Sequence, residues 1–144
     1  MRRKLRMAWM LAAAVMAGLC GTSDSYLAFA EDAAPLHVPA KLTCGSHSSN
    51  PSANKAFQVD LQFDVTGSLW LLDWKTEHSE VKFRGILSPS GTMLVAGLGK
   101  SDDGATWTYE FSGQKKPGGI AILKGSMQSE QPKGTRLCSL TFQN

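Results

Sequence analysis

The chain has 144 residues, 15 of them Lys or Arg and 12 Asp or Glu, for a formal net charge of +3. Four of the cations (Arg2, Arg3, Lys4, Arg6) and one acid (Asp24) precede residue 31, so the remainder carries eleven charges of each sign. A neutral remainder lacks the summed positive field that draws nucleic acid or an anionic membrane surface, and neither is expected as a partner.

Residues 1–30 read as a secretory signal peptide. A cationic start is followed by the apolar run Met7 to Leu19, too short to span a membrane, and by the small-residue site Ala28-Phe29-Ala30. Cleavage is expected between Ala30 and Glu31, leaving no stable membrane span and a periplasmic or secreted product. A lipoprotein anchored through Cys20 is the rival reading, although Leu19 stands where such sites carry a small residue.

Residues 31–40 hold two prolines and no periodicity, and a flexible arm is expected there. A single domain is expected over residues 41–144. Lys41 to Cys44 makes a short first strand, and Gly45 to Asn54, rich in Ser and Asn, a polar loop. From Phe57 to Val65 every second residue is apolar, which is a strand with one wet face. After the turn at Thr66-Gly67, Ser68 to Trp74 is apolar on both faces, with Leu69 and Leu71 on one and Trp70, Leu72 and Trp74 on the other. Such a strand is expected to be central or covered.

Between Val81 and Met127 a pattern occurs twice. Phe83-Arg84-Gly85, Pro89-Ser90-Gly91 and Gly97 return 28 residues later as Phe111-Ser112-Gly113, Pro117-Gly118-Gly119 and Gly125. Two copies of one hairpin account for this, each turning where proline presets φ and glycine supplies a positive φ. Thr106 to Ser112 puts Trp107, Tyr109 and Phe111 on the inner face, and the last strand, Arg136 to Phe142, puts Cys138, Leu140 and Phe142 on one side. The fold class is therefore all-β: an antiparallel meander of seven or eight strands closing into a small barrel or sandwich.

Cys44 and Cys138 are the only cysteines after the signal. In an exported chain they are expected to form one disulfide rather than two thiols or metal ligands, since no Cys-x-x-Cys is present. Gly97 to Ser101 resembles the tail of a phosphate-binding loop, but Leu94 stands in place of the leading glycine and a turn follows instead of a helix. His37, His47 and His78 have no ligand at metal spacing and are expected to be solvated loop histidines. Asp60 and Asp64 fit a wet strand face, and Asp102-Asp103-Gly104 a turn. No serine sits in a Gly-x-Ser-x-Gly elbow. No catalytic residue, metal site or cofactor is expected. Trp70, Trp74, Trp107 and Tyr109 suit either a sugar-stacking surface or a core, and exposure decides between the two.

Trp107-Thr108-Tyr109-Glu110-Phe111-Ser112-Gly113 and Cys138-Ser139-Leu140 resemble small exported β-domains of proteobacteria, a class with no activity to transfer. A second resemblance, carried by Ser90-Gly91, is to the periplasmic inhibitors of c-type lysozyme. These are exported eight-stranded barrels, with a disulfide joining the first and last parts of the chain, that present a Ser-Gly loop to the lysozyme cleft. That resemblance implies a partner-binding loop at Ser88, Ser90 and Gly91. Thr92 to Leu94 replace the tyrosine expected after the loop, and Lys124-Gly125 follows later than the family's Lys-Gly segment. The expected function is an exported, non-catalytic β-module that binds an envelope protein or a glycan. The alternatives are inhibition of c-type lysozyme and a purely structural envelope role.

Overall fold

The computed structural model describes residues 34–115, 117–119 and 121–143. The expected signal peptide and its cleavage site at Ala30 and Glu31 lie outside them. Eight strands follow in order: β1 (Leu36–Cys44), β2 (Phe57–Thr66), β3 (Leu69–Lys75), β4 (Ser79–Leu87), β5 (Thr92–Ser101), β6 (Thr106–Gln114), β7 (Ala121–Glu130) and β8 (Lys133–Phe142). Each pairs antiparallel with the next, and β8 returns to β1, so the sheet closes into a barrel with one disulfide.

Alternation decides what lies inside. Phe63, Phe83, Met93, Leu123, Leu140 and Phe142 are fully buried. Phe63 meets Phe142 edge-on at 5.2 Å between ring centres, and Trp70 meets Phe142 at 4.8 Å. Burying one such ring stabilises the fold by roughly 1.5–3 kcal/mol. The inner face of β5 is stripped to make room for them. A Cβ on Gly97 would come within 2.5 Å of Phe83, and one on Gly99 within 2.1 Å of Trp107.

The two hairpins of the repeat are β4–β5 and β6–β7. In the first turn Gly91 has the positive φ (+85°), as the repeat requires; in the second it is Gly118 (+64°) rather than Gly119, one residue earlier than the offset implies.

The expected arm is shorter than the composition suggests, because β1 begins at Leu36 and its first half pairs with Phe63 to Val65 of β2. Pro39 is tolerated there because the β8 ladder stops at Ala40. A strand residue's N–H and C=O point to the same side, and the Pro39 carbonyl accepts from the Gln143 amide just beyond that ladder. The missing N–H therefore removes no ladder bond.

Cys44 sits directly opposite Cys138, bridging residues 94 positions apart at the closing seam. A loop of that length restricts the unfolded chain by about 4 to 5 kcal/mol. Reduction under native conditions is therefore expected to lower unfolding stability by 3 kcal/mol or more in urea titrations. A loss under 1 kcal/mol would mean that the ladder alone holds the closure.

Candidate binding surfaces

The strand that is apolar on both faces borders an outer groove. Its inner residues, Trp70, Leu72 and Trp74, face the barrel interior, but nothing among the described residues covers Leu69 and Leu71 outside. Strand register places Leu69 beside Ile86 and Ile86 beside Leu94, a row of three aliphatics that are 50%, 51% and 53% exposed. Ser112 and Lys124 continue the row across β6 and β7. A parallel row runs Leu71, Arg84, Ala96, Glu110, Ser126. All of these but Leu71 line the outer groove, which holds about 780 Å³. An uncovered aliphatic patch of this kind is characteristic of an interaction surface.

The charges along the groove differ in their freedom. Arg84 Nη1 donates to Asp73 Oδ1 at 2.6 Å and to the Phe83 carbonyl at 2.7 Å. The guanidinium hydrogen bond holds the exposed Asp73 carboxyl below its ordinary range. Glu110 and Lys124 make no ion pair among the described residues, so each remains available to a partner.

The four aromatics singled out in the sequence do not form an outer stacking surface. All of them point inward, and Trp70 (3% exposed) and Tyr109 (4%) belong to the core. Trp74 and Trp107 are half-buried against it. The indole nitrogens of Trp70 and Trp107 are buried without hydrogen-bond partners.

The turn at Ser88, Ser90 and Gly91 is fixed by its own hydroxyls. Ser88 Oγ and Ser90 Oγ lie 2.8 Å apart, and the Thr92 amide donates to Ser88 Oγ at 3.0 Å. The Lys115 amide donates to the Gly91 carbonyl at 2.8 Å, and a Cβ on Gly91 would collide with the Lys115 carbonyl. Ser90 is exposed at the tip, while Ser88 and Gly91 are half-buried.

The histidines divide. His78 is exposed near Asp102, as a loop residue should be. His37 is a strand residue rather than part of an arm, 2.7 Å from Asp64. His47 corrects the expectation outright, being only 3% exposed. Ser129 Oγ donates its one proton to the Pro132 carbonyl, so the 2.7 Å contact between His47 Nε2 and Ser129 Oγ has the ring as donor. His47 Nδ1 then accepts from Ser49, both hydroxyl and amide. With the proton on Nε2 facing it, Ser129 cannot be activated by this ring. His47 instead latches the β1–β2 loop to the β7–β8 hairpin. A short polar loop gave no periodicity from which to read that burial.

The remaining motifs are structural. Gly97 and Gly99 sit inside β5, so the phosphate-loop likeness is a strand running into a turn. Asp103 caps that turn, bonded to the Ser101 hydroxyl and the Ala105 amide, and these bonds lower its pKa. Lys41 lies 3.8 Å from Asp60 on the outside of β1 and β2. Among the described residues no group of three metal-ligating side chains occurs.

Arg136 was not singled out from the sequence, although alternation places it on the face of Cys138, Leu140 and Phe142. It is 92% buried, the reverse of its 8% exposure, and its Nη1 donates to the carbonyls of Gly45, Asn54 and Lys55 at 2.8, 3.2 and 2.8 Å. It therefore pins both ends of the β1–β2 loop over one end of the barrel. Comparison with protein-family models, with curated proteins and with solved structures gives no match.

Burial pushes the Tyr109 hydroxyl up to about 12. The folded state then keeps a proton that the unfolded state releases near pH 10. The associated stability is intact below pH 10 and is lost between pH 10 and 12, on the order of 2 to 3 kcal/mol in all. With Tyr26→Phe leaving Tyr109 as the only tyrosine, the phenolate absorbance of the native protein should rise near pH 12, and near pH 10 in denaturant. A native midpoint near 10 would show that the ring is hydrated.

Proposed function

We propose that this chain is an exported, non-catalytic binding module of the cell envelope, periplasmic or secreted, that takes a protein partner in the outer groove of β3 to β7. The observation that carries this reading is the uncovered row Leu69, Ile86, Leu94. Exposed Leu and Ile on adjacent strands cost solvation in the free protein, and that cost is relieved when a partner buries them. Unpaired Glu110 and Lys124 beside the row suit a segment with an apolar ridge flanked by charges of both signs. Export is supported by the reading of residues 1–30, and the disulfide is compatible with an oxidising compartment.

A protein is favoured over a glycan because sugar stacking needs aromatic faces open side by side, whereas the exposed side chains of this groove are aliphatic, polar and charged, with its one aromatic, Phe111, buried. C-type lysozyme remains one named candidate partner, because a turn locked by hydroxyl contacts presents Ser90 at its tip.

The test is capture by the purified, disulfide-bonded protein from envelope extract, with c-type lysozyme and peptidoglycan fragments alongside. One stoichiometric protein should be retained, and Ile86→Asp or Leu94→Asp should abolish retention while leaving the thermal midpoint within a few degrees, since both side chains are exposed. Retention that survives both substitutions would place the contact elsewhere. Capture of nothing in all three arms would favour a purely structural role.

A further inference from the structure

The wall of the barrel is not paired evenly. All nine residues of β1 are matched to β2, and all seven of β3 to β4. Between β2 and β3, however, the ladder holds only Asp64, Val65 and Thr66 against Leu71, Trp70 and Leu69, beside their tight turn. Beyond it Phe57 to Phe63 of β2 and Leu72 to Lys75 of β3 are unpaired with each other and flank a split in the sheet. The β1–β8 ladder is also short, but there loop residues take over: the Gly45 and Ser48 amides donate to the carbonyls of Leu137 and Thr135, and the Thr135 amide donates to Ser48 Oγ. Nothing among the described residues does the same at the split.

The bonds at the strand ends fix which backbone groups face the split. In an antiparallel sheet each residue turns its N–H and C=O to one neighbouring strand, and the next residue turns them to the other. The Leu87 amide donates to the Ser68 carbonyl, so the even-numbered residues of β3 serve β4, and Asp73 and Lys75 face β2. The Gly45 amide donates to the Leu137 carbonyl, so the odd-numbered residues of β1 serve β8, while Ala40, Leu42 and Cys44 bond with Leu61, Val59 and Phe57. Gln58, Asp60 and Gln62 therefore face β3. All of these edge residues are exposed, and no backbone hydrogen bond among the described residues reaches that side of them. The β1–β2 loop does not cover them, because His47 and Arg136 draw it towards β7 and β8.

We infer that a partner protein adds an extended segment at this split, running alongside β2 and bonded through its main chain to Gln58, Asp60 and Gln62. A row of unpaired N–H and C=O groups at strand spacing is a template for another strand. A helix has spent its own main-chain groups internally, so an extended chain is the occupant that answers the row. No proline or glycine interrupts Phe57 to Phe63, so the edge is continuous. Side chains narrow the sequence of the segment. Asp60 and Asp64 stand on the outer face of β2, and Asp60 is 83% exposed with Lys41 no nearer than 3.8 Å. Residues of the added strand on that face are therefore basic, since opposite charges on neighbouring strands attract. Residues on the other face, beside Val59 and Leu61, are small and apolar. This site differs from the outer groove in place and in chemistry, being main-chain pairing at an edge, and does not require that groove to be occupied.

The test uses the purified, disulfide-bonded protein, labelled with nitrogen-15, and a synthetic peptide of alternating lysine and valine with both termini blocked. In the free protein the Gln58, Asp60 and Gln62 amides should exchange with solvent about tenfold or more faster than those of Val59 and Leu61, which bond to β1. The peptide should bind saturably and slow exchange at the three edge amides. Two further peptides, N-methylated at alternate residues in one phase or the other, separate main-chain pairing from charge attraction, and at least one should lose binding. Gln62→Pro removes a donor that faces the split and leaves the β1 ladder intact, so it should weaken binding about tenfold. If Gln62→Pro does not fold, Asp60→Lys decides the matter, because this exposed change repels the lysines and should weaken binding as much. The inference is overturned if the three amides are already protected without peptide, by a closed seam or by a second copy of the chain. It is equally overturned if the peptide leaves their exchange unchanged, or if both N-methylated peptides bind like the parent.

Discussion

Closure of the sheet between β1 and β8 is the constraint on which the other features depend. Ala40 to Cys44 lies against Cys138 to Phe142, and the disulfide sits at the last pair of that ladder. An open eight-stranded meander would expose two edges and leave Phe142 and Leu42 on a half-covered face. Closing it turns every second side chain into a wall of one enclosed volume. That volume has room for aromatic rings because Gly97 and Gly99 give up side chains opposite Phe83 and Trp107. The sign of the alternation also matters. Rings lie inside while Lys41, Asp60, Asp64 and Lys82 lie outside, the inverse of a barrel built to face lipid with its outer wall.

With an apolar interior and a charged exterior as the rule, the informative places are those that break it. Leu69, Ile86 and Leu94 are apolar on the outside, and Arg136 and His47 are polar on the inside. The two breaks differ in kind. The outer row weakens nothing locally, because a strand tolerates aliphatics on either face, and so it reads as a surface waiting for a cover. The inner pair is bonded into the architecture. His47 and Arg136 fix the loop that starts at Gly45, and a bulkier residue at Gly134 would strike the His47 ring.

Much of this was legible from residue order. Alternation and turn residues implied seven or eight strands, of which the structure has eight; the 28-residue repeat identified two hairpins, and two cysteines in a chain read as exported named the bridge. Legibility failed where partners far apart in sequence decide the outcome. Pro39 looked like a breaker because its tolerance depends on where β8 ends. His47 sits in a Ser- and Asn-rich loop, and its burial follows from Ser129, 82 residues away. Leu69 and Leu71 implied a central or covered strand; β3 is central, paired on both sides, but its outer face is bare, because two-sided apolarity does not say whether the same chain supplies the cover. Trp70 and Tyr109 were ambiguous since an aromatic serves a core and a sugar equally well until its face is known.

The position of the disulfide relative to Arg136 gives the fold its economy. Arg136 cannot shed its proton, so a buried guanidinium short of partners is a standing local cost that the surrounding structure must outweigh. Cys138 lies two residues along the same strand face, and Cys44 immediately precedes Gly45, whose carbonyl accepts from Arg136 and whose amide donates to the Leu137 carbonyl. The covalent clamp thus fixes both chain segments that carry the cost. Had the bridge been placed at the opposite end, the cluster of Phe63, Trp70 and Phe142 would have needed no help, and the β1–β2 loop would have been free to lift and let water solvate the charge. The disulfide therefore holds the loop down over Arg136, and that group stays buried as long as the bridge is intact.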